Sequence, residues 1–194
     1  MGLNTQQKNI AVFASGNGSN FEAIAGACER GELAARVALM VCDHPDAYVV
    51  QRAAHHGVQT FAFDPKNYNT KADYEAQILQ LLDAQNIDLV CLAGYMRLIS
   101  KVLLDQYEGR IINIHPSLLP AFKGAHAIEQ AVDYGVKVFG VTVHFIDSTM
   151  DGGRIIAQRA FAYEGSDASE VERRIHEIEH KLYIDVIQQI ITQK

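Results

Sequence analysis

Five short apolar runs, each ended by polar residues, restrict this chain to a small set of folds. The runs are residues 10–14, 37–42, 60–63, 89–93 and 111–114. Strands that are apolar on both faces are typical of parallel sheets with helices packed on both sides. Between the runs, apolar residues recur at the spacing of helices, so a helix is expected after each strand. Right-handed crossovers then place these helices on both faces of the sheet. The sequence therefore predicts an α/β fold with a doubly wound, mostly parallel sheet.

The last third of the chain has a different pattern. Residues 138–146 and 154–163 are strand-like, and Asp151-Gly152-Gly153 forms a turn signal between them. Residues 169–191 predict one long C-terminal helix, because apolar residues recur there at helical spacing. Its apolar face contains Val171, Ile175, Ile178, Leu182 and Val186. No linker interrupts the 194 residues, so we expect a single domain spanning 1–194.

Charge and cysteine usage restrict the partners and the compartment. The formal net charge is −6, which argues against binding to nucleic acid or to an anionic membrane. The three cysteines form no C-x-x-C pair, as is usual in a reducing cytosol. No apolar stretch approaches about 18 residues, and the polar residues 1–8 do not resemble a signal peptide. We expect a cytoplasmic protein, monomeric or homodimeric, that acts on small molecules.

A glycine-rich loop follows the first apolar run. The segment Gly16-Asn17-Gly18-Ser19-Asn20 can bring backbone N–H groups to an anion at a helix N-terminus. Ser19 or Asn20 is the expected N-cap of that helix. A dinucleotide fingerprint is the rival interpretation, with Asp43 near the position of a ribose-binding acid, but Phe21 replaces the third glycine. A plain turn without a ligand is the third alternative.

Polar residues at the end of the fifth run form a second candidate site. Asn113 and His115 are two residues apart, so their side chains project from the same side of a strand. Asn113 can donate to a developing oxyanion, and His115 can hold or deliver a proton near neutral pH. Asp151 in the later turn would favour the imidazolium if it lay beside His115. The alternative is a histidine that caps the turn at Pro116 and an aspartate in a surface loop.

The C-terminal helix contains a sequence that matches a zinc motif. His176-Glu177-Ile178-Glu179-His180 fits H-E-x-x-H, in which two histidines on one helical face bind zinc. A zinc protease would need a third ligand, and Ile178 continues the apolar face of a charge-rich helix. We therefore predict no metal site.

Taken together, these segments resemble the glycinamide ribonucleotide formyltransferase family, the short folate-dependent type. The resemblance spans the chain from Ile10 to the final helix. Four segments carry it, namely Ala14-Ser15-Gly16-Asn17-Gly18-Ser19-Asn20, Leu92-Ala93-Gly94-Tyr95-Met96-Arg97, Asn113-Ile114-His115-Pro116-Ser117-Leu118-Leu119-Pro120, and Val143-His144-Phe145 leading to Met150-Asp151-Gly152-Gly153. The Asn-x-His-Pro-Ser-Leu-Leu-Pro run followed by Asp-Gly-Gly is specific for folate formyltransferases. The loop ending in Gly-Ser-Asn narrows the match to this type, with its Rossmann-like fold.

The resemblance implies a role for each matching segment. It implies transfer of a formyl group from 10-formyltetrahydrofolate to glycinamide ribonucleotide, in purine synthesis, with Asn113, His115 and Asp151 as the catalytic residues. Gly18, Ser19 and Asn20 would hold the substrate phosphate. The substrate ribose would contact His176, Glu177, Ile178 and Glu179. The folate would contact Lys71, Met96, Arg97, Leu98, Ile99, Asn113, Asp147, Ser148, Thr149, Met150 and Asp151. Residues 1–110 would form the phosphate-binding half, and residues 111–194 the folate and catalytic half.

Three rival functions remain open at this point. Methionyl-tRNA formyltransferase shares the catalytic residues but adds a C-terminal barrel and a basic surface. Formyltetrahydrofolate hydrolase would need an additional N-terminal regulatory domain. A non-catalytic nucleotide-binding module would retain the glycine loop, but it would give no reason for Asn113, His115 and Asp151 to occur together.

Overall fold

Within the described part of the chain, seven strands form one sheet with six α-helices around it. The computed structural model describes residues 7–193, so the interpretation of the polar N-terminal start falls largely outside the described residues. The elements, in chain order, are β1 (Lys8–Phe13), α1 (Ser19–Glu29), β2 (Ala35–Cys42), α2 (Tyr48–His55), β3 (Thr60–Ala62), α3 (Lys71–Ala84), β4 (Leu89–Leu92), α4 (Lys101–Leu104), β5 (Ile111–His115), α5 (Ala127–Tyr134), β6 (Val138–Phe145), β7 (Ile155–Ala162) and α6 (Ala168–Thr192).

The strand order confirms the doubly wound α/β fold. The order is β3-β2-β1-β4-β5-β6-β7, and β1 to β5 are mutually parallel where they pair. The pairs β5–β6 and β6–β7 are antiparallel, so the two strands of the last third extend the sheet as a hairpin. The chain adds β2 and β3 on one side of β1 and β4 to β7 on the other. A crevice forms beyond the carboxyl ends of the strands where the order of strands switches in this way.

Alternate residues of the parallel strands supply two separate cores. Ile10 and Val12 of β1 pack with α1, α2 and α6 on one face. Ala11 and Phe13 pack with α3 and α4 on the other face. Burial on both faces explains why these strands are continuous apolar runs rather than alternating ones.

Four helices differ in detail from the sequence expectation. Of the helices predicted between the apolar runs, the one before the fifth run, α4, is only four residues long, and α5 lies outside the predicted helices. The α1 N-cap is Gly18 rather than Ser19 or Asn20, and Gly18 has the left-handed φ of 76° that glycine tolerates. The long helix α6 is confirmed, although its buried stripe passes through Glu179 while Ile178 is only partly buried.

None of the helices within residues 7–193 is long and apolar enough to cross a membrane.

Candidate active site

A cleft of about 1030 Å³ lies beyond the carboxyl ends of β1, β4 and β5. Its walls come from the loops that follow these strands, from the chain after β6 and from one edge of α6. A volume of this size is large for one small ligand. The cleft therefore has room for two small molecules held side by side.

The glycine loop forms one end of this cleft. Gly18 packs against α2 so closely that a Cβ atom there would lie 2.3 Å from Val49 Cγ2. The Val49 N–H donates to Gly16 O at 3.1 Å, and Arg52 Nε donates to Asn17 O at 2.9 Å. These contacts fix the loop with the N-terminus of α1 facing the cleft, where unpaired helical N–H groups favour an anion.

Asp43 anchors the loop after β4 instead of facing a ribose. Asp43 is 2 % exposed, and its carboxylate accepts from Arg97 Nε at 2.6 Å. Burial acts to raise the pKa of Asp43, but hydrogen bonds from Ser15, Arg97 and His44 outweigh it and lower that pKa. Because these donors occupy the carboxylate, the geometry gives no support to a dinucleotide site there.

Asn113 and His144 are directly opposite each other on β5 and β6. Asn113 Nδ2 lies 3.2 Å from His144 Nε2, and Asn113 also lines the cleft. The side-chain amide is therefore held at the cleft wall by a residue of the neighbouring strand.

His115 and Asp151 lie beside each other in the cleft, although they are far apart in the sequence. His115 Nδ1 lies 3.6 Å from Asp151 Oδ2, and the histidine is only 5 % exposed. His115 Nε2 donates to Phe122 O at 2.9 Å, so Nδ1 is the nitrogen that can gain or lose a proton. The Gly124 N–H donates to Asp151 Oδ2 at 2.6 Å, which ties the carboxylate to the loop after β5. This arrangement can stabilise an imidazolium and move a proton at Nδ1.

A tight turn presents Asp151 to the histidine. Asp147 Oδ1 accepts from Thr149 N at 2.7 Å and from Thr149 Oγ1 at 2.6 Å, and these bonds lower the pKa of Asp147. A Cβ atom on Gly152 would lie 1.8 Å from Thr149 Oγ1 and 2.6 Å from Asp147 Oδ1, so a larger residue there would displace the two side chains that form the turn. Asp151 itself has φ of 46°, a left-handed conformation that aspartate accepts more readily than most residues.

One edge of α6 closes the cleft beside the glycine loop. Glu179 is 4 % exposed, and its Oε2 accepts from Asn20 Nδ2 at 3.1 Å and from His176 Nδ1 at 2.8 Å. The Glu179 carboxylate raises the pKa of His176, burial opposes that rise, and Glu172 adds to it. Asn20 Oδ1 is buried without a partner among residues 7–193, so this amide has an unused acceptor beside the glycine loop.

The H-E-x-x-H histidines do not converge as metal ligands. His176 Nδ1 bonds to Glu179, and the rings of His176 and His180 stack with centroids 6.4 Å apart. Within residues 7–193 there is no group of three or more His, Cys, Asp or Glu side chains placed to hold a metal ion.

Comparison with known proteins shows which family has this sequence and fold. Residues 8–187 match the family model described as formyl transferase. The phosphoribosylglycinamide formyltransferase of Bacillus subtilis is 52% identical over 185 residues, which are 95% of each chain. The chain belongs to the formyltransferase family. As an enzyme of this family, it has the fold expected from its sequence resemblance.

Solved structures of formyltransferases have the same fold. The glycinamide ribonucleotide transformylase 1 of Geobacillus kaustophilus superimposes with a TM-score of 0.93 at 52% identity, covering 96% of this chain and 100% of that one. The phosphoribosylglycinamide formyltransferase of Bacillus halodurans gives a TM-score of 0.92 at 48% identity, covering 96% of each chain.

Most of the residues that the sequence nominates meet in the cleft of this formyltransferase. Those that line it are Gly18, Ser19, Asn20, Met96, Arg97, Leu98, Ile99, Asn113, His115, Asp147, Thr149, Met150, Asp151, His176 and Glu179. Lys71, Ser148, Glu177 and Ile178 lie outside that lining. Lys71 instead donates to Leu98 O, Glu177 pairs with Arg173, and Ile178 packs against the core.

Sequence reasoning missed three contributors to the site. In the sequence, His144 stands out only as part of a segment that carries the family resemblance, and no spacing rule predicts that it lies opposite Asn113. Phe122 contributes a backbone carbonyl to His115, so no side-chain signal exists. Asp43 is considered only as a ribose-binding acid, although the neighbouring Arg97 is the partner that the structure gives it.

Proposed function

We propose that this protein transfers the formyl group of 10-formyltetrahydrofolate to the amine of glycinamide ribonucleotide, releasing tetrahydrofolate, in purine synthesis. The observation that carries the proposal is the meeting of Asn113, His115 and Asp151 in one cleft of a chain that is 52% identical to a phosphoribosylglycinamide formyltransferase. The cleft also has room for both substrates.

The ribonucleotide binds at the end of the cleft formed by the glycine loop and α6. Gly18, Ser19 and Asn20 hold the phosphate through the helix N-terminus, where backbone N–H groups and the helix dipole attract an anion. His176 and Glu179 line the cleft beside this loop and contact the ribose. They are hydrogen-bonded to each other, and the ribose hydroxyl groups can add to that hydrogen bond or replace it. Glu177 and Ile178, which lie outside the cleft lining, act on the ribose only through the position of this helix.

The folate binds between the chain after β4 and the turn before β7. Met96, Arg97, Leu98 and Ile99 form one wall, and the segment from Asp147 through Ser148, Thr149 and Met150 to Asp151 forms the other. Met96 and Leu98 are more than half exposed in the free protein, which suits apolar contact with a planar ring. Lys71 supports the first wall through its bond to Leu98 O.

The reaction is a direct transfer in two bond changes. The ribonucleotide amine attacks the formyl carbon, and negative charge develops on the formyl oxygen. The amide N–H of Asn113 and the protonated Nδ1 of His115 stabilise that oxyanion. Asp151 stabilises the imidazolium from 3.6 Å. Collapse breaks the bond between the formyl carbon and the folate nitrogen, which takes a proton while the attacking amine loses one.

The proposed binding roles coincide only in part with the division of the chain into residues 1–110 and 111–194. The phosphate loop belongs to residues 1–110 and the catalytic residues belong to residues 111–194, as the sequence suggests. The proposed ribose contacts on α6 and the folate wall after β4 lie on the other side of that division, so under this proposal each substrate contacts both halves.

A carbon label tests the proposal. With ¹³C in the formyl group, NMR should show the label arriving on the ribonucleotide amine in step with tetrahydrofolate release. Mass spectrometry of acid-quenched protein should show an unmodified chain. Label recovered as formate would contradict the transferase, and a formylated protein would contradict direct transfer.

A further inference from the structure

His144 occupies a position from which one ring can hold two catalytic groups at once. It is 1 % exposed and lies opposite Asn113 in the β5–β6 register. Its ring extends from Asn113 to the chain that follows β6, which includes the turn carrying Asp151. Both nitrogens of the ring have partners, and the identity of those partners fixes the tautomer.

The Nδ1 atom of His144 carries the proton. It lies 2.8 Å from Phe145 O and 2.8 Å from Gly152 O. Carbonyl oxygens only accept hydrogen bonds, so Nδ1 must be the donor to both. In a neutral imidazole the other nitrogen then presents a lone pair.

That lone pair determines how the Asn113 amide is oriented. His144 Nε2 lies 3.2 Å from Asn113 Nδ2 and can only accept from it. The NH₂ group of Asn113 therefore faces the ring and gives it one N–H, which leaves the second N–H for an acceptor in the cleft that Asn113 lines. An amide flipped by 180° would place an oxygen against the Nε2 lone pair.

We propose that His144 is a positioning residue that orients Asn113 as an oxyanion donor and holds the Asp151 turn through the Gly152 carbonyl. This inference rests on the proposed function, because it assigns Asn113 and Asp151 to the same reaction. A histidine that served only core packing would not need hydrogen-bond partners on both nitrogens drawn from two catalytic segments.

Two isosteric substitutions separate the two contacts. In His144→Asn, the side-chain N–H can replace the Nδ1 donor to Phe145 O and Gly152 O, but no atom reaches Asn113. In His144→Gln, the side-chain oxygen can replace Nε2 as the acceptor for Asn113, but the donor to the turn is lost. Each variant is combined with Asn113→Ala to form a double-mutant cycle.

The experiment measures kcat and both KM values of the formyl transfer for all six proteins. We expect His144→Asn to lower kcat by about ten-fold or more, as loss of an orienting outer partner commonly does, with little change in KM for the ribonucleotide. In the Asn113→Ala background the same substitution should lower kcat by less than about two-fold, since the amide is already gone. His144→Gln should lower kcat by the same factor whether or not Asn113 is replaced, because its effect acts through the Asp151 turn.

Two controls protect the cycle from a folding artefact. Val143→Ala removes buried apolar volume from the same strand, and it should lower the thermal unfolding midpoint while leaving kcat near wild type. The ¹⁵N NMR shifts of the His144 ring in the wild-type protein should report the tautomer protonated at Nδ1, independently of activity.

The inference would be overturned if His144→Asn lowered kcat by the same factor with Asn113 present and with Asn113→Ala, or if the His144 ring were protonated at Nε2. Either result would leave the proposed function intact. Absence of transfer by the wild-type protein would instead refute the proposed function.

Discussion

Replacing Gly18 with alanine tests whether the glycine loop is shaped by conformation and close packing. Gly18 has φ of 76° and forms the N-cap of α1, and an added Cβ would lie 2.3 Å from Val49 Cγ2 and 2.6 Å from Val49 Cβ. Gly16 in the same loop has nothing within 4 Å of an added Cβ. The Gly16→Ala variant is therefore a matched control that differs in geometry but not in chemistry.

The expected magnitude follows from these contacts. A left-handed conformation costs a residue with a Cβ about 1–2 kcal/mol, and overpacking costs roughly 1–3 kcal/mol more. Val49 cannot move away freely, because its N–H is bonded to Gly16 O. We expect Gly18→Ala to lower the free energy of unfolding by about 2–5 kcal/mol, and Gly16→Ala to change it by no more than about 0.5 kcal/mol.

Equilibrium urea unfolding measures this difference, and steady-state kinetics measures its effect on the site. Because the N-cap sets the direction of the first helical N–H groups, KM for the ribonucleotide should rise about ten-fold in Gly18→Ala, as loss of roughly one hydrogen bond predicts. If Gly18→Ala were as stable as wild type, or if Gly16→Ala were equally destabilised, the packing argument would be wrong.

Three further substitutions test other parts of the molecule. Asp151→Asn should lower kcat by about a hundred-fold without a matching rise in either KM, as measured by initial rates. Glu179→Gln should raise KM for the ribonucleotide about ten-fold and leave KM for the folate unchanged. Glu29, assisted by Glu22 and opposed by burial, raises the pKa of His56 above its usual 6.5. The stabilisation that protonated His56 gains from these carboxylates is therefore complete below about pH 6.5. It is lost as the pH rises through the pKa of His56 in the folded protein. The stability difference between wild type and His56→Gln, from urea unfolding at several pH values, should shrink over that range, and a constant difference would contradict this assignment.

The sheet was predictable because burial on both faces leaves a strong sequence signal. Residues such as Ile10 and Phe13 must both be apolar when helices cover both sides, so each parallel strand appears as a continuous run. Helix α5 escaped prediction because it is only eight residues long and its fully buried residues are two alanines, Ala127 and Ala131, which give a weak apolar signal. The N-cap at Gly18 could not be distinguished from Ser19, since the choice depends on the distant contact with Val49.

Site residues near each other in sequence were easier to nominate than those joined by folding. Asn113 and His115 share a strand, so their common direction follows from its two-residue period. The role suggested for His144 depends on antiparallel register between β5 and β6, which spacing alone does not reveal. Glu179 interrupts an apolar stripe of α6. Its buried carboxylate is bonded by His176 on the same helix and by Asn20, 159 positions away, and sequence spacing does not reveal the second partner.

Tetrahydrofolate release from 10-formyltetrahydrofolate, followed by absorbance with and without glycinamide ribonucleotide, tests the central claim most directly. The account predicts release that requires the ribonucleotide and saturates as its concentration rises. Release at the same rate without the ribonucleotide would contradict the account and indicate a hydrolase. No release in either mixture would also contradict it, leaving a binding protein with the formyltransferase fold.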